Sequence, residues 1–269
     1  MEFEKPTLNK VVDIGGLGVH KPKPLSKEWD RILNLRERTV LISFGSVAKS
    51  KLMPDTMKRA IINVVKSYPN VTFIWKYEEP NDAIFKRVDN LIPSKWTPQS
   101  CLLGDKRLAL FITHGGAGSM MESAHQGKPL IVVPLFGDQT RNAKLIEKFG
   151  FGILLEKRHL FDSNVLREAI EHILTDSRYQ TAATRISRLL SRRPFSPEEK
   201  LVKTVELAAE FGDLAELKVT GRSLGYVAYY NLDLLLILAA ICTVFISLVV
   251  YALLRILTLN FVKVKVKAH

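Results

Sequence analysis

Cysteine is nearly missing from this chain of 269 residues, which holds only Cys101 and Cys242. Two cysteines exclude a disulfide-stapled scaffold. Cys242 also lies in an apolar run out of reach of Cys101, so cysteine usage leaves the redox compartment open. A G-x-G-x-x-G fingerprint and a P-loop lysine pattern are both absent, which argues against NAD and ATP. The net charge is +12, yet no arginine-rich block, zinc spacing or RNA-binding aromatic motif accompanies it. The basic excess therefore reads as lysines and arginines scattered over solvated helices and a basic tail, not as a nucleic-acid surface. There is no internal repeat or low-complexity tract, and no metal-ligand spacing. The opening "MEFEKPTLNK" lacks the apolar stretch of a signal peptide.

Apolar residues are plentiful, at 47% against 25% charged, which fits a globular body plus something greasier. The greasy part is "LDLLLILAAICTVFISLVVYALL", residues 232–254, with Asp233 its one charge. A helix of that length reaches about 34 Å, enough to cross a hydrocarbon core of about 30 Å. Tyr226, Tyr229 and Tyr230 precede it as an interfacial belt would, and Arg255, Lys263, Lys265 and Lys267 follow with no acid among them. The positive-inside rule puts that tail in the cytosol. The ending "KVKAH" reads either as a dilysine retrieval signal of the endoplasmic reticulum or as an ordinary basic stop-transfer flank. A lumenal body needs a signal peptide that is not visible here, so the expectation is that N-terminal sequence is missing.

Residues 1–37 are Gly- and Pro-rich and read as a linker. Beyond them strand and helix patterns alternate. Strands are predicted at 39–46, 70–77, within "VDNLIPSKW", and at 108–113, 130–134 and 151–156. Helices are predicted after Pro54, at "PQSCLLG", at 117–127 and at 138–149, with two or three more between 162 and 211. Such alternation means βαβ units and a parallel sheet covered on both faces.

Ligands of open parallel sheets bind beyond the C-terminal strand ends. Three motifs fall there: Ser43 to Ser46, His114 to Ser119, and Pro134 to Gln139. Glycine lets the backbone approach a ligand, and the helix that follows offers unpaired N–H groups and a positive dipole end, a ready anion site. A diphosphate fits this arrangement. A Gly-rich turn of that kind is also compatible with a tight connection that binds nothing.

The wider spacing discriminates. "WTPQ" opens at Trp96 and Asp138-Gln139 closes 44 residues later, counting both ends, with His114, Ser119 and Glu122 between. This resembles the nucleotide-sugar box of the UDP-glycosyltransferase family. The likeness runs from about residue 10 through the tail and is greatest to the C-terminal half of animal microsomal UDP-glucuronosyltransferases. It implies an α/β fold, the Rossmann-like C-terminal nucleotide-sugar-binding lobe of a GT-B fold with helices on both faces of a parallel sheet, plus one C-terminal transmembrane helix. The implied organisation is a linker (1–37), a donor lobe (38–220), a juxtamembrane segment (221–231), the span (232–254) and a basic cytosolic tail (255–269).

By the resemblance, Trp96 packs on uracil, Gln99 hydrogen-bonds the nucleotide, and Glu122 takes the ribose hydroxyls. His114, Gly116, Ser119 and Ser46 hold the diphosphate, and Asp138 and Gln139 the sugar hydroxyls. Taken singly, Trp96 also fits a core aromatic, Glu122 a solvated helix residue and Asp138 a helix N-cap. One position departs from the family pattern: Gly118 stands where it usually has Asn, removing an amide donor. His125, on the same helix, has no family role and reads as a partly exposed surface histidine.

The resemblance further implies inverting transfer of glucuronic acid or glucose from the UDP-sugar to small lipophilic acceptors, with no metal or other cofactor. It puts the His/Asp catalytic pair and most of the acceptor site in an N-terminal lobe that this chain lacks. His20 does not match that base. The implied partners are the UDP-sugar, the acceptor, a membrane and a homo- or hetero-oligomer, and the implied location is the endoplasmic reticulum with a lumenal body. The alternative is a non-catalytic module that binds UDP-sugar or pairs with full-length relatives.

Overall fold

The computed structural model describes residues 4–266, with side chains through residue 256. Two compact units result, residues 4–6 with 12–206, and 7–11 with 207–266.

The larger unit is built on a six-stranded sheet: β1 (Arg38–Ser43), β2 (Val71–Lys76), β3 (Leu91–Ser94), β4 (Leu108–Thr113), β5 (Leu130–Val132) and β6 (Gly152–Leu154). All neighbouring pairs are parallel, and the order is β3-β2-β1-β4-β5-β6. The strands read as nearly unbroken apolar runs because both faces are covered. Val40 and Ile42, Phe73 and Trp75, and Leu110 and Ile112 point to one face, which α2 (Asp55–Lys66) and α6 (Ser163–Thr175) cover. Leu41, Ile74 and Phe111 point to the other. That face is covered by α1 (Lys27–Leu33), α3 (Gln99–Gly104), α4 (Ala117–Gln126), α5 (Gln139–Lys148) and α7 (Ser177–Ser191). Last in this region comes α8 (Pro197–Phe211), so three helices occupy residues 163–211.

The segment read as a linker is not featureless. Ser26 caps α1 by accepting from the Trp29 N–H, and Ile32 and Leu33 of that helix are buried.

A buried cation ties α4 to the sheet. Lys128 Nζ donates to the carbonyls of Asp105 (2.7 Å) and Leu108 (2.8 Å). Burial pulls its pKa down to about 8, against the pull of Asp105. A depressed lysine pKa means that the unfolded state holds the extra proton between about pH 8 and the unfolded value near 10.5. Stability therefore rises with pH across that window and is lost as pH falls through 8. Relative to Lys128→Met, the native chain is expected to gain about 2–3 kcal/mol between pH 7.5 and 10, read as diverging thermal midpoints. Parallel pH profiles would refute this.

In the smaller unit, α9 (Tyr226–Tyr229) precedes α10 (Leu232–Val266). Residues Leu232–Ile256 have a mean hydropathy of 2.8 with none of that stretch buried, so by length and composition they are fit to cross a membrane. The run outlasts the predicted end at 254 by Arg255, which donates to the Tyr251 hydroxyl (3.2 Å) one turn back, and the apolar Ile256. Tyr226, Tyr229 and Tyr230 form an aromatic cluster, with the Tyr230 ring centre 4.8 Å from Tyr226 at a tilt and 4.9 Å from Tyr229 edge-on. Lys267, part of the dilysine reading, lies outside the described residues.

Candidate functional site

The order β3-β2-β1-β4-β5-β6 reverses direction between β1 and β4, and a crevice opens where the loops leaving those two strands part to opposite sides. A cavity of about 640 Å³ sits at that point, within the range of small-molecule sites. Of the nine predicted site residues, Ser46, Trp96, Gln99, His114, Gly116, Ser119, Glu122 and Gln139 line it. Asp138 is not among its lining residues.

His114 leaves β4 with its ring wedged between two glycines. A Cβ on Gly45 would stand 2.8 Å from His114 Cε1, and one on Gly116 would stand 2.7 Å from Nε2. Gly45 also has φ +84, which L side chains avoid. Burial lowers the His114 pKa, opposed by Asp138, so the imidazole is neutral at physiological pH. Thr113 Oγ1 lies 3.4 Å from Nδ1. When that hydroxyl donates, Nε2 carries the proton and faces Gly116 as a donor. The N-terminus of α4 follows at once, and no side chain caps it. Its first-turn N–H groups therefore have no side-chain acceptor.

At the other side, Trp96 is 70% exposed. It is a surface ring and not a core aromatic. Gln99 opens α3 and spends its amide on Glu122 (2.7 Å) and Ser119 (3.3 Å). Ser100 donates to the second Glu122 oxygen (2.8 Å). Glu122 is thus a shared acceptor, not a solvated helix residue.

Gln139 is buried, and its Oε1 accepts from the N–H groups of Leu135 (2.7 Å) and Phe136 (3.0 Å). Its amide nitrogen is the group left to donate. Asp138 stands at the N-cap position of α5 without capping it. It accepts instead from Asn142 (2.9 Å), which also donates to the Gly115 carbonyl (3.0 Å).

Three residues that sequence reasoning passed over belong here. Lys76, at the C-terminal end of β2, lines the cavity and donates to Gly45 O (2.8 Å) and Glu78 (3.3 Å). Ser100 and Asn142 order Glu122 and the Gly115 turn. Lys76 obeys the same strand-end rule that located the other motifs. His125 lies away from the cavity lining. It donates to Met121 O (2.9 Å) and accepts from Arg193 (3.1 Å), a neutral imidazole with both nitrogens used. Among the described residues no three His, Cys, Asp or Glu side chains gather as metal ligands.

Comparison with known proteins agrees on one family. The family model described as UDP-glucoronosyl and UDP-glucosyl transferase matches residues 1–268. The Caenorhabditis elegans relative ugt-48 is 31% identical over 97% of this chain and 50% of its own length. Human UDP-glucuronosyltransferase 1A9 is 31% identical over 91% of this chain and 46% of its own. This chain therefore spans about half the length of these relatives. Among solved structures, a UDP-glucose: anthocyanidin 3-O-glucosyltransferase superposes with a TM-score of 0.59 at 22% identity, covering 70% of this chain and 44% of that one, which shows a shared fold. With the matched family model spanning nearly every residue, the chain belongs to the UDP-glucoronosyl and UDP-glucosyl transferase family.

Proposed function

We propose that the larger unit binds a UDP-sugar and serves as the donor half of a glycosyltransferase. One observation carries this: eight separately placed residues of the 96–139 box and the β1 loop converge on one cavity at the β1/β4 crevice. In this reading Trp96 covers the uracil, Gln99 bonds the nucleotide and Glu122 receives the ribose hydroxyls. His114, Gly116, Ser119 and Ser46 surround the diphosphate with the α4 N-terminus, and the Gln139 amide meets the sugar. Asp138 acts on the sugar from outside the cavity lining, or holds the Gly115 turn through Asn142. The solved anthocyanidin glucosyltransferase was obtained in complex with UDP, which supports the assignment of the nucleotide.

The donor sugar is glucuronate or glucose, delivered with inversion to a lipophilic acceptor. The geometry favours a donor-holding role for these residues over a proton-abstracting one. Among the carboxylate, amine and imidazole groups lining the cavity, Glu122 has both oxygens engaged, Lys76 is paired with Glu78, and His114 is wedged between two glycines at the diphosphate end. The base is accordingly assigned to a lobe outside this chain, and no metal or other cofactor is required. α10 anchors the protein in the endoplasmic-reticulum membrane, with the larger unit lumenal and the basic end cytosolic. A non-catalytic module that pairs with full-length relatives would use the same donor site.

Calorimetric titration of the full chain in nanodiscs with UDP tests the reading, and no detectable heat of binding would sink it. The same titration examines the Gly118 departure. A Cβ at Gly118 meets nothing within 4 Å, so Gly118→Asn is accommodated and returns an amide donor. UDP affinity is expected to rise about tenfold or more, the effect of one hydrogen bond to a charged group at about 1.5–3 kcal/mol. Unchanged affinity would show that backbone N–H groups and Ser119 already satisfy the phosphates.

A further inference from the structure

A groove of about 590 Å³ lies wholly within the smaller unit, between residues 8–10 and 213–229. Its cations are Lys10, Lys218 and Arg222, and its one carboxylate is Asp213. Asp213 takes both lysines: Lys10 Nζ stands 2.9 Å from Oδ1, and Lys218 holds Oδ2. Arg222 is exposed and has no acidic partner among the described residues. The groove therefore carries an excess of two positive charges. Leu8 and Val219, both exposed, add apolar wall beside the cations. Position along the chain decides where this groove meets a membrane. Tyr229 lines it and precedes Leu232, the first residue of the apolar run, by three residues. Three residues span at most about 11 Å, so one wall of the groove lies that close to where the apolar run begins. The headgroup layer outside the hydrocarbon is about 5–8 Å deep on each side, and lipid phosphates occupy it.

We propose that this groove holds the phosphate of an anionic phospholipid, with Arg222 as its principal donor and Leu8 and Val219 against the glycerol and upper acyl chain. The proposal rests on the reading of α10 as a membrane anchor, since only then does the groove stand in the headgroup layer. Arg222 suits the phosphate because its planar fork bonds two oxygens at once. Lys10 and Lys218 add attraction at longer range, and Asp213 subtracts from it. The positive excess favours a headgroup of net negative charge over a zwitterionic one, whose ammonium group cancels its phosphate.

The test titrates the full chain in dodecyl maltoside micelles with dioctanoyl phosphatidylglycerol, subtracting empty micelles. Arg222→Gln is expected to weaken binding about fivefold, the effect of one basic residue at a lipid surface, and Arg222→Glu about twenty-five-fold. Asp213→Asn should do the opposite and tighten binding about fivefold, a gain that misfolding cannot imitate. The basic end of the chain adds the same background to every variant. Dioctanoylglycerol lacks the phosphate and inorganic phosphate lacks the chains, so each should bind about tenfold more weakly or worse. Unchanged phosphatidylglycerol affinity in Arg222→Gln and Asp213→Asn overturns the proposal. Inorganic phosphate binding as tightly as the lipid overturns it too, in favour of a free-anion site. Equal binding of dioctanoylglycerol overturns it in favour of apolar partitioning. Flotation of the unmodified chain with phosphatidylcholine vesicles at alkaline pH examines the anchor separately. A chain that fails to float defeats the anchor reading. One that floats while the variants titrate alike defeats only the phosphate site.

Discussion

Gly116→Ala is expected to cost at least about a hundredfold in UDP affinity while leaving the fold intact. The added Cβ would stand 2.7 Å from His114 Nε2, and the far end of a side chain moves more cheaply than backbone. The ring therefore leaves its seat. The nucleotide loses the imidazole donor, and the α4 N-terminus meets a new methyl group. Two charge-assisted hydrogen bonds at about 1.5–3 kcal/mol each account for the loss. Calorimetry against UDP and against inorganic pyrophosphate should show the same drop, because the damage is at the phosphate end. A thermal midpoint close to that of the native chain is part of the expectation. Gly115→Ala makes the contrast: there a Cβ would stand 2.4 Å from Val132 Cγ1 at φ +84, so the fold itself suffers. Undiminished UDP affinity in Gly116→Ala would remove His114 from the diphosphate.

Trp96→Ala should act at the other end. Stacking of a base on an aromatic ring contributes about 1–3 kcal/mol, so UDP affinity falls about ten- to a hundredfold. Pyrophosphate affinity stays constant, and Trp96→Phe restores most of the loss. Stability hardly changes, because the ring is largely exposed without ligand. The two variants thus separate base recognition from phosphate recognition. If Trp96→Ala weakened pyrophosphate as much as UDP, the ring would be shaping the cavity and not meeting a base.

The sheet was readable because every strand is an apolar run ended by turn residues, and the helices between carry apolar residues at helical spacing. What escaped did so for physical reasons. The short α1 is hidden behind a Gly- and Pro-rich stretch, and its burial of Ile32 and Leu33 depends on a partner surface no local pattern shows. Lys76 continues the strand β2, so a cation at that place reads as the strand's solvated end. Only the pairing of β2 with β1 brings it to Gly45. Asn142 reads as a polar face of α5, and its tie to Gly115 crosses 27 positions. The convergence of the 96–139 box was visible in register alone. That Asp138 turns toward Asn142 was not, because its side-chain direction depends on how α5 begins.

Each oxygen of the Glu122 carboxylate accepts one hydrogen bond, from Gln99 and from Ser100. A carboxylate has about four acceptor sites in all, so an entering ribose finds about one left on each oxygen, in directions fixed by the two bonds already in place. A nucleotide lacking the 2′-hydroxyl could fill only one of them. Discrimination between ribose and deoxyribose would then arise from the protein's contacts with itself, which aim the carboxylate so that only a neighbouring pair of hydroxyls meets both free sites.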